Sequence, residues 1–296
     1  MSWIQAAAGK IRGKFHPLHY LRRSVVYKYC LQPLLDFPVQ VDIGFRRPVH
    51  IRLLTHLSYL FLAREMEACE IRSFTSIASS LDPDSRSIYD VGGNIGLYTW
   101  SALDASPGLN VAVFEPDPRN FALLKDTART WQAHNVHLFP CAASAEHGEA
   151  SFSRDLLSSA AGTLEQGSQA FAQKHYNQQE SFIQVRKFPL DDLLGTPGIP
   201  PPGLVKIDVE GHELDVLDGA KKVLHEYLPI LFIESFSEKA QALQELLGGL
   251  GYKFFDADKA SLVSPTTLNF LCLPEADLPA EVVQVLAGIG FPVSAP

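Results

Sequence analysis

From residue 86 onward, short apolar runs rich in β-branched and aromatic residues alternate with segments of helical spacing. This alternation is typical of a parallel sheet whose strands are joined by crossover helices. Buried strands are predicted at residues 87–91, 110–114, 135–139, 204–208 and 229–234. Residues 252–256 and 267–273 are expected to close the sheet as an antiparallel pair. The pattern predicts an α/β fold with a mostly parallel seven-stranded sheet, an antiparallel last strand and helices on both faces.

The segments between and before these strands predict the remaining elements. Helices are expected at residues 97–103, 118–131, 213–227 and 237–250, and a small hairpin from 148–152 and 182–188. Residues 154–181 are rich in Ser, Ala, Gly and Gln, and their length predicts either a mobile lid or a partly disordered segment. Residues 1–80, with a strand at 48–55 and a helix at 60–74, are interpreted as a basic and helical N-terminal extension. Residues 81–296 then form the main domain.

The turn after the first predicted strand carries the strongest chemical signal. Residues 88–96 read Ile-Tyr-Asp-Val-Gly-Gly-Asn-Ile-Gly and precede a helical segment. Glycines there let a nucleotide-like ligand approach bare backbone. Asp90 stands where a dinucleotide-binding G-x-G-x-x-G loop has its first glycine. A carboxylate repels a pyrophosphate but suits an amine and a sulfonium, so the turn indicates S-adenosyl-L-methionine rather than NAD.

Acidic residues end four of the predicted parallel strands, namely Asp90, Glu115, Asp208 and Glu234. Ligands of open α/β sheets bind at this carboxyl edge. Glu115 ends the second strand, where a carboxylate can accept hydrogen bonds from two ribose hydroxyls. Asp208 and Glu234 together could hold a divalent cation such as Mg²⁺. No third ligand is identified, so a site without metal is favoured.

Several segments resemble the FkbM family of S-adenosylmethionine-dependent methyltransferases. The resemblance rests on residues 90–96, 114–118, 206–213, 214–220 and 229–234, in the order and spacing of that family. It implies a Rossmann-like class I methyltransferase fold and methylation of hydroxyl groups on sugars, polyketides or related small molecules. The family's loop resembles D-V-G-A-N-x-G, so Gly93 in place of alanine is a mild departure that should leave cofactor binding intact.

The resemblance also implies roles for individual residues. The loop would hold the methionine end of the cofactor, Glu115 would hold the ribose, and the Cys141-Ala142 pair would lie near the adenine. The cofactor-binding residues are therefore expected to be Asp90, Gly92, Gly93, Asn94, Gly96, Glu115, Pro116, Cys141, Ala142 and Asp208.

A hydroxyl acceptor needs a base, or a group that stabilises the forming alkoxide. Asp208, Glu210 and His212 surround the end of the fourth strand and are the candidates for catalysis. Asp208 and Glu210 alternate along an extended chain, which would direct only one of them at the cofactor. Glu210 could instead bind the backbone amides that start the next helix. His212 could be a surface residue of the first helical turn.

Charge is distributed unevenly along the chain. The net charge is −8, yet residues 1–50 carry +6 and the remainder −14. The basic arm, with interleaved aromatic residues, could contact an anionic surface, either weakly at a membrane or on a nucleotide-linked substrate. Packing on the main domain or on a second subunit of a homodimer is favoured over that contact. The acidic remainder and the absence of a recognition motif argue against nucleic-acid binding.

Composition bounds the remaining function classes. The four cysteines are far apart, which predicts reduced thiols in a cytoplasmic protein. No transmembrane segment or signal peptide is predicted. The leading hypothesis is an O-methyltransferase acting on a small hydroxylated acceptor. The alternatives are an inactive cofactor-binding scaffold that recruits a partner through the basic arm, and an NAD-dependent oxidoreductase, which Asp90 argues against.

Overall fold

The computed structural model describes residues 24–62, 68–156, 159, 162–164, 181–275 and 278–293. Within these ranges the strands are β1 (Pro38–Val41), β2 (Val49–Arg52), β3 (Ser87–Val91), β4 (Asn110–Phe114), β5 (Val136–Phe139), β6 (Ala142–Ala143), β7 (Gly148–Arg154), β8 (Ser181–Phe188), β9 (Pro202–Ile207), β10 (Ile230–Glu234), β11 (Tyr252–Asp256), β12 (Ser261–Leu262) and β13 (Asn269–Pro274).

The helices follow the apolar spacing of the sequence. They are α1 (Gln32–Leu35), α2 (Leu57–Leu62), α3 (Ala68–Ser80), α4 (Leu97–Ala105), α5 (Pro118–Trp131), α6 (Glu213–Asp218), α7 (Ser237–Gly248) and α8 (Ala280–Ile289). Turns of π-helix lie at Tyr27–Leu31 and Val223–Tyr227, and a 3₁₀ turn lies at Leu190–Leu193. No helix in the described ranges is long and apolar enough to cross a lipid bilayer.

The central sheet confirms the predicted α/β architecture. Its strand order is β12-β11-β13-β10-β9-β3-β4-β5. The five strands from β10 to β5 run parallel, whereas β13 is antiparallel to both β10 and β11. The eighth strand, β12, has only two residues and pairs with β11 at the edge. The predicted hairpin also forms, with β7 antiparallel to β8.

Helices cover both faces of the sheet, as predicted. Neighbouring residues of β3 belong to opposite cores, because side chains alternate along a strand. Ile88 packs in one core with Phe74 of α3 and Leu124 of α5. Tyr89 packs in the other, which includes Leu243 of α7. Burial on both faces explains why these strands read as continuous apolar runs.

Two predicted elements end earlier than expected. The helix predicted at 213–227 is interrupted after α6, where a Cβ on Gly219 would lie 2.0 Å from the carbonyl oxygen of Ser144. The strand predicted at 48–55 ends at Arg52, because the Asp36 carboxylate accepts hydrogen bonds from the backbone amides of Leu54 and Thr55 and turns the chain there.

The proposed division at residue 80 stays a prediction. Residues 1–23, which hold most of the basic arm, and 165–180 of the expected lid lie outside the described residues. The helix predicted at 60–74 corresponds to parts of α2 and α3, with residues 63–67 also outside them. Phe74 and Ile77 of α3 are fully buried in the same core as the sheet.

Candidate active site

A cleft of about 700 Å³, part of it open to solvent, lies at the carboxyl edge of the sheet. It opens where β3, β4 and β9 end, which is where ligands bind in open α/β sheets. Acidic and amide side chains dominate its polar lining, namely Asn94, Glu115, Asp117, Asn120, Asp155, Asp208 and Glu210. Such a cleft suits a ligand that carries positive charge and hydrogen-bond donors.

The glycine turn after β3 is fixed against the neighbouring strands. The backbone amides of Gly92 and Gly93 both donate to the carbonyl oxygen of Phe114, at 3.0 Å each. Gly92 has a φ of +81°, and a Cβ there would lie 1.9 Å from the carbonyl oxygen of Asp208. Glycine is therefore required at Gly92, both by the backbone conformation and by the contact.

Glu115 is buried at the bottom of the cleft. Its Oε2 accepts from the backbone amide of Asn94 and its Oε1 from that of Asp117, both at 2.7 Å. Burial raises the pKa of Glu115 to about 8. The side chain of Asn120 also hydrogen-bonds to this carboxylate, and the lone pair that remains can accept a hydrogen bond from a ligand hydroxyl.

Asp90 lies beneath the turn rather than in the cleft. Its side chain is 2% exposed, and its Oδ2 accepts a hydrogen bond from Oγ1 of Thr99 at 2.5 Å. Burial raises the pKa of Asp90 to about 6. Asp90 does not line the cleft, so its direct contact with a cofactor stays a prediction. In this structure it supports the turn from below.

The described residues leave one buried acceptor of Asn94 without a partner. Asn94 Nδ2 donates to the carbonyl oxygen of Ser159 at 2.8 Å, whereas its buried Oδ1 has no hydrogen-bond partner among them. A buried unpaired acceptor is costly. The ammonium group of S-adenosyl-L-methionine would satisfy it, and a hydroxyl of the cofactor's ribose suits Glu115, so the residues present fit this cofactor.

Asp208 and Glu210 both line the cleft. An extended chain would have directed them to opposite sides, but β9 ends at Ile207, and Glu210 (φ +52°) and Gly211 (φ +101°) adopt left-handed conformations. The backbone amide of Gly211 is bound by Glu213 Oε1 at 2.6 Å rather than by Glu210. Burial and the nearby Asp208 carboxylate raise the pKa of Glu210 to about 9.

A buried lysine lies behind Asp208. Lys206 Nζ is 3.2 Å from Glu70 Oε1 and 3.9 Å from Asp208 Oδ2, and it lies 4.7 Å from the ring centroid of Tyr98. Burial raises the pKa of Asp208, and the charge of Lys206 opposes that increase. Sequence reasoning missed Glu70, because no local pattern connects a residue of α3 with the distant β9.

His212 also borders the cleft, with both ring nitrogens engaged. Its Nε2 is 3.1 Å from Ser144 Oγ, and its Nδ1 is 3.4 Å from Asp215 Oδ2. These contacts fix the ring orientation. Ser144 was not predicted, and the catalytic role of His212 stays a prediction.

Asp117 was also missed. It caps α5 by accepting from the backbone amide of Arg119 at 2.7 Å, and it pairs with Arg154 Nε at 2.9 Å. An Asp directly before Pro118 is a helix-start signal that could have identified it.

The other predicted site residues divide between the cleft and its surroundings. Pro116 and Ala142 line the cleft, whereas Gly93, Gly96 and Cys141 do not. Cys141 is buried, and burial raises the pKa of its thiol to about 11. Across the described ranges, no group of three or more His, Cys, Asp or Glu side chains could hold a metal ion. The site without metal stays a prediction.

Comparison with known proteins identifies relatives of this chain. It is 31% identical over 137 residues to the hexuronic acid methyltransferase AglP of Haloferax volcanii, which covers 46% of this chain and 51% of AglP. It is 31% identical over 158 residues to the 31-O-demethyl-FK506 methyltransferase FkbM of Streptomyces tacrolimicus, covering 45% and 59%. The chain spans about half the length of the curated relatives it matches.

A crystal structure of methyltransferase FkbM from Methylobacillus flagellatus KT aligns with a TM-score of 0.43 and 19% identity, covering 64% of this chain and 43% of that one. The family model of the methyltransferase FkbM domain matches residues 90–254. That range holds the glycine turn, Glu115, Asp208 and Glu210, and it is more than half of the chain. The chain therefore belongs to the FkbM methyltransferase family.

Proposed function

We propose that this protein transfers a methyl group from S-adenosyl-L-methionine to a hydroxyl group of a sugar, glycoconjugate, polyketide or similar small molecule. The observation that carries the proposal is the grouping of Asn94 and Glu115 with Asp208 and Glu210 around one cleft. The first two suit the cofactor, and the last two can act on a hydroxyl beside it.

The cofactor-holding part is formed by the turn and by β4. Gly92 leaves bare backbone at the cleft, Asn94 offers its unpaired Oδ1, and Glu115 offers its carboxylate. When bound, S-adenosyl-L-methionine supplies a methyl carbon already activated by a sulfonium. These residues hold the cofactor and keep its position fixed, which is the main requirement of an in-line displacement.

The two acids at the end of β9 have different roles toward the acceptor, one as a base and the other as a hydrogen-bond donor. Asp208 is one-third exposed at the cleft, and the charge of Lys206 at 3.9 Å favours its ionised form against burial, so it can take the proton of an acceptor hydroxyl. Glu210, with its pKa raised to about 9, holds a proton at neutral pH and can donate a hydrogen bond. Opposite protonation states let neighbouring acids take different roles.

The names of the relatives support a hydroxylated acceptor. One relative is named for hexuronic acid and another for a demethylated FK506. We therefore propose a small molecule with a free hydroxyl as the acceptor of this chain.

Calorimetric titration with S-adenosyl-L-methionine, S-adenosyl-L-homocysteine and NAD tests the cofactor. We expect binding of the two sulfur ligands. At pH 8 or above, where Glu115 is ionised, Glu115→Ala should weaken it by about tenfold or more, because hydrogen bonds to a charged group contribute about 1.5–3 kcal/mol each. Tight binding of NAD without response to the sulfur ligands would refute the proposal, as would an unchanged affinity in Glu115→Ala.

Methyl transfer to a panel of sugars and polyketides tests the reaction. Asp208→Asn should lower turnover while the cofactor still binds, and Asp126→Asn, an exposed acid of α5, is the matched control. Wild-type turnover in Asp208→Asn would remove Asp208 as the base. Cofactor binding without transfer to any acceptor would favour the inactive scaffold.

A further inference from the structure

Large apolar side chains are concentrated on the surface of the segment that precedes β1. Six of the eleven exposed large apolar side chains in the described ranges lie within thirteen residues. We call them the apolar stripe; they are Val25, Val26, Tyr29, Leu34, Leu35 and Phe37, with exposed fractions between 43% and 77%. Exposed apolar side chains concentrated in one part of a protein mark interaction sites, whereas single scattered ones do not.

The segment that carries the stripe is anchored to the protein by its other face. Tyr27 is 1% exposed and donates a hydrogen bond from its hydroxyl to the carbonyl oxygen of Leu54 at 3.0 Å. Leu31 packs against Tyr27. Asp36 is buried and accepts from Thr55 Oγ1 at 2.7 Å. The segment therefore has a fixed inner face, and the stripe is what it presents outward.

The sequence of the segment and of the residues before it is positively charged. In sequence, residues 1–35 hold six basic side chains and no acidic one, and Arg22 and Arg23 directly precede the segment. Apolar side chains flanked by basic ones match an anionic lipid surface. The apolar side chains insert among the lipids, and the basic side chains are attracted to the anionic headgroups.

A second copy of the chain is a poorer occupant of this surface. A two-fold contact would place the same patch of both subunits face to face, and hence their basic residues. Like charges in such a contact are unfavourable.

We propose that the apolar stripe docks on an anionic lipid bilayer. The segment lies next to the cleft, because Gln32 donates a side-chain hydrogen bond to the carbonyl oxygen of Leu156, directly after the cleft-lining Asp155. Binding to lipid does not depend on methyl transfer and goes beyond the proposed function.

Co-sedimentation of the full chain with lipid vesicles tests the proposal. The protein should bind vesicles that contain phosphatidylserine, bind those of phosphatidylcholine alone more weakly, and be released by added salt. The double variant Tyr29→Ser, Leu34→Ser should lose at least about tenfold in affinity, because it removes two apolar side chains from the contact with the lipid. Leu262→Ser is the matched control, because Leu262 is 66% exposed on β12 at the far edge of the sheet.

Three results would overturn the proposal: no vesicle binding, equal binding to both kinds of vesicle, or equal loss in the double variant and in Leu262→Ser. Sedimentation velocity tests whether a second copy of the chain binds the stripe instead. If the protein did not bind vesicles but formed a dimer, and the double variant were monomeric, the stripe would be a contact with a second copy. A Tyr29→Trp variant gives an independent readout, because its fluorescence should shift to the blue with anionic vesicles and stay unchanged without them.

Discussion

The buried ion pair between Glu70 and Lys206 should contribute strongly to stability, and Glu70→Gln measures it. The two side chains are 1% and 3% exposed and approach to 3.2 Å. Breaking a buried pair by removing one charge costs about 3–5 kcal/mol, because the other charge stays buried. Asp208 at 3.9 Å and the Tyr98 ring still face Lys206 in the variant. We therefore expect the lower end, a loss of about 3 kcal/mol in the free energy of unfolding.

Urea denaturation provides the assay, and an exposed pair provides the control. Arg129 and Asp126 are closer, at 2.9 Å, but their side chains are 75% and 42% exposed. Asp126→Asn should cost less than about 1 kcal/mol, because solvent screens the pair. The comparison tests whether burial, rather than distance, decides the contribution of an ion pair.

A loss below about 1 kcal/mol in Glu70→Gln would refute this reasoning. The double variant Glu70→Leu, Lys206→Met adds a second check. Removing both charges leaves no isolated ion, so its stability should exceed that of Glu70→Gln. A double variant less stable than Glu70→Gln would show that the packing around the pair, not its charge, dominates.

Further predictions concern the turn and the pH dependence of the site. Gly93→Ala should lower stability by about 1–3 kcal/mol, because its Cβ would lie 2.3 Å from Val113 Cγ1; Val113→Ala in that variant should restore part of the loss in thermal unfolding. Gly92→Ala should abolish cofactor binding in calorimetry, because its Cβ would meet the backbone of Asp208 and its φ is positive. Cofactor affinity should rise as pH increases toward about 8, because Glu115 must lose its proton to accept a hydrogen bond from a ribose hydroxyl; calorimetry in buffers of different ionisation enthalpy should detect the released proton. Since the folded pKa of Glu115 is raised from 4.5 to about 8, its contribution to stability is full below pH 4.5 and is lost as pH rises through about 8.

Each of these expectations has a contrary outcome. Additive losses in Gly93→Ala and Val113→Ala would exclude the side-chain clash. Unimpaired cofactor binding in Gly92→Ala would show that the turn can rearrange. A Glu115→Gln variant with the same pH dependence as the wild type would assign the proton to another group.

The sheet could be predicted from the sequence because each strand is marked by a pattern of neighbouring residues. The bounds predicted for β3 and β4 agree with the structure, since both are apolar runs that end at an acid or a glycine turn. The structural need for Gly92 followed from the same turn. The strand bounds and the need for Gly92 depend on contacts within a few residues, or between strands whose pairing the α/β pattern already implies.

Other features depend on contacts that sequence patterns do not encode. Glu210 faces the cleft because of a left-handed backbone conformation that non-glycine residues adopt rarely. The ring of His212 is oriented by Ser144, and Lys206 is neutralised by Glu70, in each case from a distant part of the chain. The position of Asp90 beneath the turn follows from its bond to Thr99. Such side-chain positions require the tertiary structure.

The ion pair of Glu70 and Lys206 also bears on where the protein can be divided. The region matched by the family model begins at residue 90, so a fragment limited to it would retain Lys206 without Glu70. The same fragment would lack Phe74 and Ile77, which are fully buried in the shared core. An internal lysine without its counter-charge and an uncovered sheet face would both oppose folding. We therefore expect the smallest independently folding unit to be larger than the family domain and to include α3.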